Sequence, residues 1–275
     1  MKSTNRVFCA FAALTFSIGI YAQSGTNSPY SQYGLGVLSD QTSGFNRGMN
    51  GVGLGFREHN QVNFINPASY SAVDSLSFIF DVGFSGQITN FNESGKKINA
   101  KNADFEYAVA AFRVAKGFGV SFGILPYTNV GYNYTSSTPG SNVLSTTYSN
   151  SYYGEGGLHQ VYVGLGYQLF KGFSLGANVS YLWGSYDKTV TNSYSDSYAK
   201  TIQKVYSASV TNYKLDFGAQ YAFAVDKKNE FTLGATYSPG HDIGGNPSCV
   251  VTSTNPTTST PETAPYSLKD GLKIP

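Results

Sequence analysis

Seven stretches of this chain alternate apolar residues with polar or small ones, and the spacers between them come in two lengths. Short spacers fall at Lys116–Gly117, Lys171–Gly172 and Val225–Asn229. Long polar spacers fall at Thr89–Asn102, Gly131–Gly157, Thr189–Lys204 and Ser238–Pro265. Successive strand side chains point to opposite faces, so each stretch reads as a β-strand with one apolar face. A meander with tight turns on one side and long loops on the other is the layout of a bacterial outer-membrane barrel. The expected fold class is therefore all-β, a transmembrane antiparallel β-barrel.

The strands differ in clarity. Leu76, Phe78, Phe80, Val82 and Phe84 form one stripe, and Val161, Val163, Leu165, Tyr167 and Leu169 another. Phe173 to Trp183, Tyr213 to Phe223 and Phe231 to Tyr237 repeat the pattern. In a soluble protein these stripes would be the core; in a barrel they face lipid and the small face lines the lumen. Lys214 and Asp216 lie on the small face and read as structural lumen charge. Phe105 to Lys116 is apolar on both faces. The stripe from Phe118 to Ile124 runs into Pro126, which cannot donate to a ladder and marks an edge, a bulge or a kink. The plain expectation is that the strand ends there and an outer loop begins.

Composition supports a membrane wall. Charged residues make up 12% of the chain, about half the ~25% of a typical soluble domain. The 22 Tyr and 19 Phe suit apolar strands with aromatic girdles. A net charge of +2 without a basic run gives no argument for nucleic acid. Residues 1–22 read as a cleaved secretory signal, with Lys2 and Arg6 before an apolar run from Val7 to Ile20 that is too short to span a bilayer. Beyond it only Cys249 remains, so no disulfide framework or cysteine metal site is expected. No cofactor is expected either. His59, His159 and His241 fall in different parts of the chain and share no evident catalytic constellation, so no enzyme is expected.

Residues 23–74 alternate poorly. They are too apolar for a disordered linker, with Leu35, Val37, Leu38, Phe45, Val52, Leu54, Phe56, Phe64 and Ile65 among them. A plug inside the barrel is the natural place for such a segment, because polar lumen groups can satisfy irregular backbone. The barrel strands then occupy residues 75–275. Asn66-Pro67-Ala68, just before the first strand, resembles the Asn-Pro-Ala signature of the FadL family of outer-membrane long-chain fatty-acid transporters. Arg47-Gly48-Met49-Asn50-Gly51-Val52-Gly53 is similar to the small-residue stretch upstream of that signature, and Ser28 to Gly36 to the opening of Bacteroidetes relatives.

The resemblance implies a fourteen-stranded barrel with an N-terminal hatch, to which Phe64, Asn66, Pro67 and Ala68 would belong. It also implies sideways release of hydrophobic molecules through a kink in the third strand, for which Pro126 is the candidate. Without it, Asn66 and Pro67 are adequately explained as turn formers. Seven strands are readable and an eighth would begin after Pro265, so a C-terminal truncation is expected. The leading functional expectation is an outer-membrane channel for passive uptake of hydrophobic small molecules such as fatty acids or hydrocarbons. Its partners would be that ligand and outer-membrane lipid, with the Tyr-rich stretch Tyr127 to Tyr153 as the mouth. The alternative is a barrel serving as a secretion-system accessory or surface-attachment protein that meets a protein partner.

Overall fold

The structure, a computed structural model, describes residues 26–93, 95–138, 147–196, 198–226, 229–255, 257–258, 261–267 and 273–274. The expected signal at residues 1–22 lies outside them. The strands are β1 (Val37–Leu38), β2 (Phe78–Glu93), β3 (Lys96–Ala115), β4 (Phe118–Thr138), β5 (Tyr148–Phe170) and β6 (Phe173–Tyr194). They continue with β7 (Thr201–Ala224), β8 (Glu230–Tyr237), β9 (His241–Asp242), β10 (Ser248–Thr254), β11 (Pro261–Ser267) and β12 (Lys273–Ile274). Ten of them form one antiparallel sheet in the order β11-β10-β7-β6-β5-β4-β3-β2, with β1 joined to β4 and β8 to β7. No helix among the described residues is long and apolar enough to cross a membrane, which says nothing of strands.

The seven expected strands are β2 to β8, and all but β8 are far longer than their apolar stripes. Most of the residues expected as long loops instead extend the hairpins. β4 runs on past Pro126 to Thr138, and β5 begins at Tyr148. The physical reason is that Thr, Tyr and Val favour a pleated surface whether or not one face is apolar. Cross-strand pairs then hold these arms: Tyr134 and Tyr152 stack at 4.9 Å, and the Thr135 and Ser151 hydroxyls meet at 3.1 Å. The 23 residues of β5 reach about 75 Å, more than twice a hydrocarbon core of about 30 Å. The stretch from Ser238 is likewise not one loop, since β9, β10 and β11 lie within it.

The sheet is turned inside out relative to a soluble one. Phe78, Phe80, Phe84, Val163, Leu165, Tyr167, Val179 and Leu233 are exposed, whereas Ser121, Ser174, Asn178, Ser180 and Gln220 are buried. What buries the small face is the N-terminal segment. It packs Val62, Phe64, Tyr70 and Val73 against Tyr107, Val109, Leu125 and Tyr162. Farther up the strands Leu35 packs between two further clusters, one including Leu158, Leu182 and Val210, the other Val130, Tyr132 and Tyr186.

A line of backbone irregularities crosses β4, β5 and β6 at one level. The register shifts between Pro126 and Thr128, Thr128 pairs with Leu158, and Leu158 pairs with Gly184. Gly156, Gly157 and Gly184 have φ of +114°, +151° and +151°. A Cβ on Gly157 would collide with the Thr128 carbonyl and one on Gly184 with the Gly157 carbonyl. The line coincides with the upper end of the exposed apolar stripes. Pro126 thus marks a bulge within a continuing strand, the device by which a strand bends without ending.

Two partings open in the sheet near this level. β3 pairs with β4 only as far as Ala108 and Ile124; beyond that β1 takes the edge of β4 at Thr128 and Asn129. On the other side, β8 pairs with β7 from Phe217 to Ala224 and β10 pairs with it from Thr201 to Ser207. Between those two stretches the chain leaves the ladder, carries β9, and buries Ile243 beside Tyr127, Leu158, Leu182 and Val210.

Candidate functional site

The densest polar arrangement is the seat of the N-terminal segment on the sheet. Four glycines stand side by side across four strands: Gly119 on β4 pairs with Gly166 on β5, Gly166 with Gly176 on β6, and Gly176 with Gly218 on β7. A Cβ on Gly119 or Gly166 would strike the backbone of the turn Pro67–Ala72, one on Gly176 would strike Pro67, and one on Gly218 the Asn66 amide. The row is a trough one backbone deep, and the 3-10 turn lies in it.

Asn66 heads that turn and is fully buried. Its Oδ1 accepts from the Ala68 amide at 3.1 Å, capping the turn, while Pro67 sits where no amide hydrogen is needed. Its Nδ2 lies 2.8 Å from the Leu54 carbonyl, 3.1 Å from that of Ala219 and 3.4 Å from that of Ala235. One side chain therefore ties the segment to itself, to β7 and to β8. Gln220 adds bonds from β7 to the Leu54 and Phe56 carbonyls, both at 3.0 Å. Tyr70 donates to Asn178 Oδ1 at 3.1 Å, and the Asn178 amide reaches the Phe64 carbonyl at 3.3 Å. Arg57 Nη1 donates to Ser174 Oγ at 2.7 Å, and Ser71 Oγ meets the same hydroxyl at 3.0 Å.

All four residues expected in a hatch, Phe64, Asn66, Pro67 and Ala68, converge on this seat and are buried. Pro126 does not join them. It belongs to the bulge line, where its carbonyl accepts from Gln41 Nε2 at 3.0 Å. Sequence reasoning overlooked the residues that receive the turn: the glycine row, Asn178, Ser174 and Gln220. Their signal was present as glycine or a small polar residue at alternate positions of β5, β6 and β7.

A second fastening lies above the bulge line. Lys188 Nζ donates to the carbonyls of Gln32 at 2.9 Å and Gly34 at 2.8 Å, and stands 4.6 Å from the Tyr186 ring. Burial lowers the Lys188 ammonium to about 8, because a charge withdrawn from water is disfavoured. Ser31 is fully buried and exchanges hydrogen bonds with the Gly131 backbone at 3.1 and 3.3 Å. Tyr134 donates to Gln32 Oε1 at 2.8 Å. Between the two fastenings Arg47 lies 2.9 Å from Asp40 and 3.1 Å from Glu106.

A cavity of about 130 Å³ is lined by Phe64, Leu125, Tyr162, Gln41, Gln160, Asn178, Lys214 and Asp216, among others. Lys214 and Asp216 bond to each other at its edge, and Asp216 also accepts from Ser238. Both side chains are largely covered, each 16% exposed.

A family model described as BamG matches residues 4–270. The chain belongs to the BamG family. No curated protein matches it, and no solved structure does. BamG membership overturns the resemblance to the FadL family, and with it the reading as an uptake channel for fatty acids or hydrocarbons. The reason lies in what the quoted motif does. Asn66-Pro67-Ala68 encodes a capped turn pressed into a glycine trough, a local need that any segment seated on a strand wall can share.

Proposed function

We propose that this chain is an accessory subunit of the outer-membrane β-barrel assembly machinery of a Gram-negative bacterium. The observation that carries this reading is the BamG family match over residues 4–270. The inverted sheet supports the location: exposed aromatic and aliphatic stripes on one face suit lipid, and the buried small face suits an interior. In this reading the sheet is the wall of a membrane barrel, the segment before β2 is its plug, and the chain reaches the membrane after losing an N-terminal signal. The role is carried out through protein partners. The long polar hairpin arms above the apolar stripes give such partners a surface outside the bilayer.

The test is affinity purification of the tagged full-length chain from native outer membrane. The expected result is co-purification, in fixed stoichiometry, with the protein that inserts outer-membrane barrels, together with a fall in outer-membrane barrel levels when the chain is depleted. Recovery of the chain alone, with barrel levels unchanged on depletion, would overturn the reading. Recovery with components of a secretion or attachment apparatus would transfer the accessory role to that apparatus.

A further inference from the structure

Above the bulge line, where β3 has parted from β4, a cleft of about 910 Å³ opens between β3 and the strands β4 to β6. Its volume lies within the range of small-molecule sites, about 300–1,000 Å³. Its walls are chemically distinctive. Five glycines, Gly131, Gly154, Gly156, Gly157 and Gly184, keep part of the lining at backbone height. Trp183 stands among them, stacked on His159 at 6.0 Å and on Tyr181 at 5.9 Å. Planar polar side chains share the lining: Asp104 on β3, Asn129 and Asn133 on β4, Glu155 on β5 and Asp187 on β6.

Two features narrow what such a cleft accepts. The Asn102 Nδ2 atom is buried and has no hydrogen-bond partner among the described residues. With essentially no accessible surface it is out of a ligand's reach, so the donors that the lining offers are those of Lys101, Asn27 and Asn133. The neighbouring carboxylates are acceptors only, so a complementary ligand must offer both acceptors and donors at short intervals. The charge balance is three carboxylates against the single ammonium of Lys101, which repels phosphate and other anionic groups. Burial raises the Asp104 carboxyl above its ordinary range without removing it as a hydrogen-bond partner.

We infer that this cleft binds a neutral saccharide. Each sugar hydroxyl both accepts, as Lys101 and Asn133 require, and donates, as Asp104, Glu155 and Asp187 require. The apolar face of a pyranose ring fits an indole plane, and the glycine-lined floor lets the ring approach the wall. The cleft lies above the apolar stripes, with Thr26 and Asn27 of the N-terminal segment on its lining, and its chemistry does not depend on the assembly role.

Trp183 is the single tryptophan of the chain, so its emission reports on this cleft alone. The experiment titrates the full-length protein in detergent with maltotriose, cellotriose and mannotriose, following Trp183 emission. Saturation-transfer NMR on the same samples reads binding that leaves the indole unmoved. Glucose 6-phosphate and an octapeptide of alternating lysine and threonine serve as anionic and basic comparisons. The expected result is saturable binding of at least one trisaccharide, weakened at least tenfold by Asn133→Ala and by Asp187→Asn. Having two variants guards against loss of fold in one, which far-ultraviolet circular dichroism checks. Absence of binding to all three trisaccharides, binding indifferent to both substitutions, or a response confined to the phosphate or the peptide would overturn the inference.

Discussion

Asn66 is the residue on which most of the seat converges. Replacing it with alanine removes the cap on the Pro67–Ala72 turn and takes a donor from the Leu54, Ala219 and Ala235 carbonyls. Leaving buried acceptors unpaired costs about 1–3 kcal/mol, so Asn66→Ala is expected to lower the unfolding free energy by that amount, read as a lower urea midpoint at unchanged slope. Lys188 makes a different prediction, because its ammonium is lowered from 10.5 to about 8 in the folded chain. Between those values the unfolded chain holds the proton and the folded chain has released it, so stability rises as pH climbs across that window. At pH 7 both states are protonated, and the cost of burying the charge is present in full. Melting temperatures at pH 7 and pH 10 should show a rise in the native chain relative to Lys188→Met. An equal response in both would remove Lys188 as the cause. Asn66 was legible in the sequence as a turn former; Lys188 was not, since a lone lysine in a polar hairpin looks like any solvated charge.

At the scale of elements, the glycine row and the bulge line set how strands and segment meet. Gly176→Val drives a branched side chain into Pro67. Overpacking of this kind costs about 1–3 kcal/mol. The expected outcome is displacement of the turn, read as faster tryptic cleavage after Arg57, whose bond to Ser174 holds that stretch against the sheet. Gly157→Ala meets the Thr128 carbonyl from a backbone at φ +151°, whereas Pro126→Ala only adds an amide hydrogen at a bulge. Gly157→Ala is therefore expected to lower the melting temperature more than Pro126→Ala; the reverse order would place the bend in the proline ring. Strand existence was readable because the apolar stripes have period two. Strand length was not, because the arms from Gly131 to Thr138 and from Tyr148 to Gly157 carry no apolar-polar contrast. The breaks between β8, β9 and β10 were hidden for a further reason: pairing with β7 stops where the chain turns to bury Ile243, a contact with residues distant in sequence.

For the whole molecule, what matters is which face meets which solvent. Val163 and Leu165 are about half exposed on the outward face. If that face meets lipid, a lysine at either position near the bilayer midplane costs about 2–4 kcal/mol. Val163→Lys is expected to reduce recovery in the membrane fraction and to lower stability in lipid vesicles by that amount. The same substitution at an exposed arm position such as Thr135 should be tolerated. Equal tolerance at both would show that the stripes do not face lipid. The covering of the small face has one more consequence, which concerns time. Asn66 emerges early, yet its partners Ala219 and Ala235 lie 153 and 169 residues farther along. The turn cannot settle until β7 and β8 have been made and aligned, and a slip of one residue in either strand would turn the wrong face toward it. A segment made before the strands thus locks only after β8 is in place, and its locking checks the register of β7 and β8.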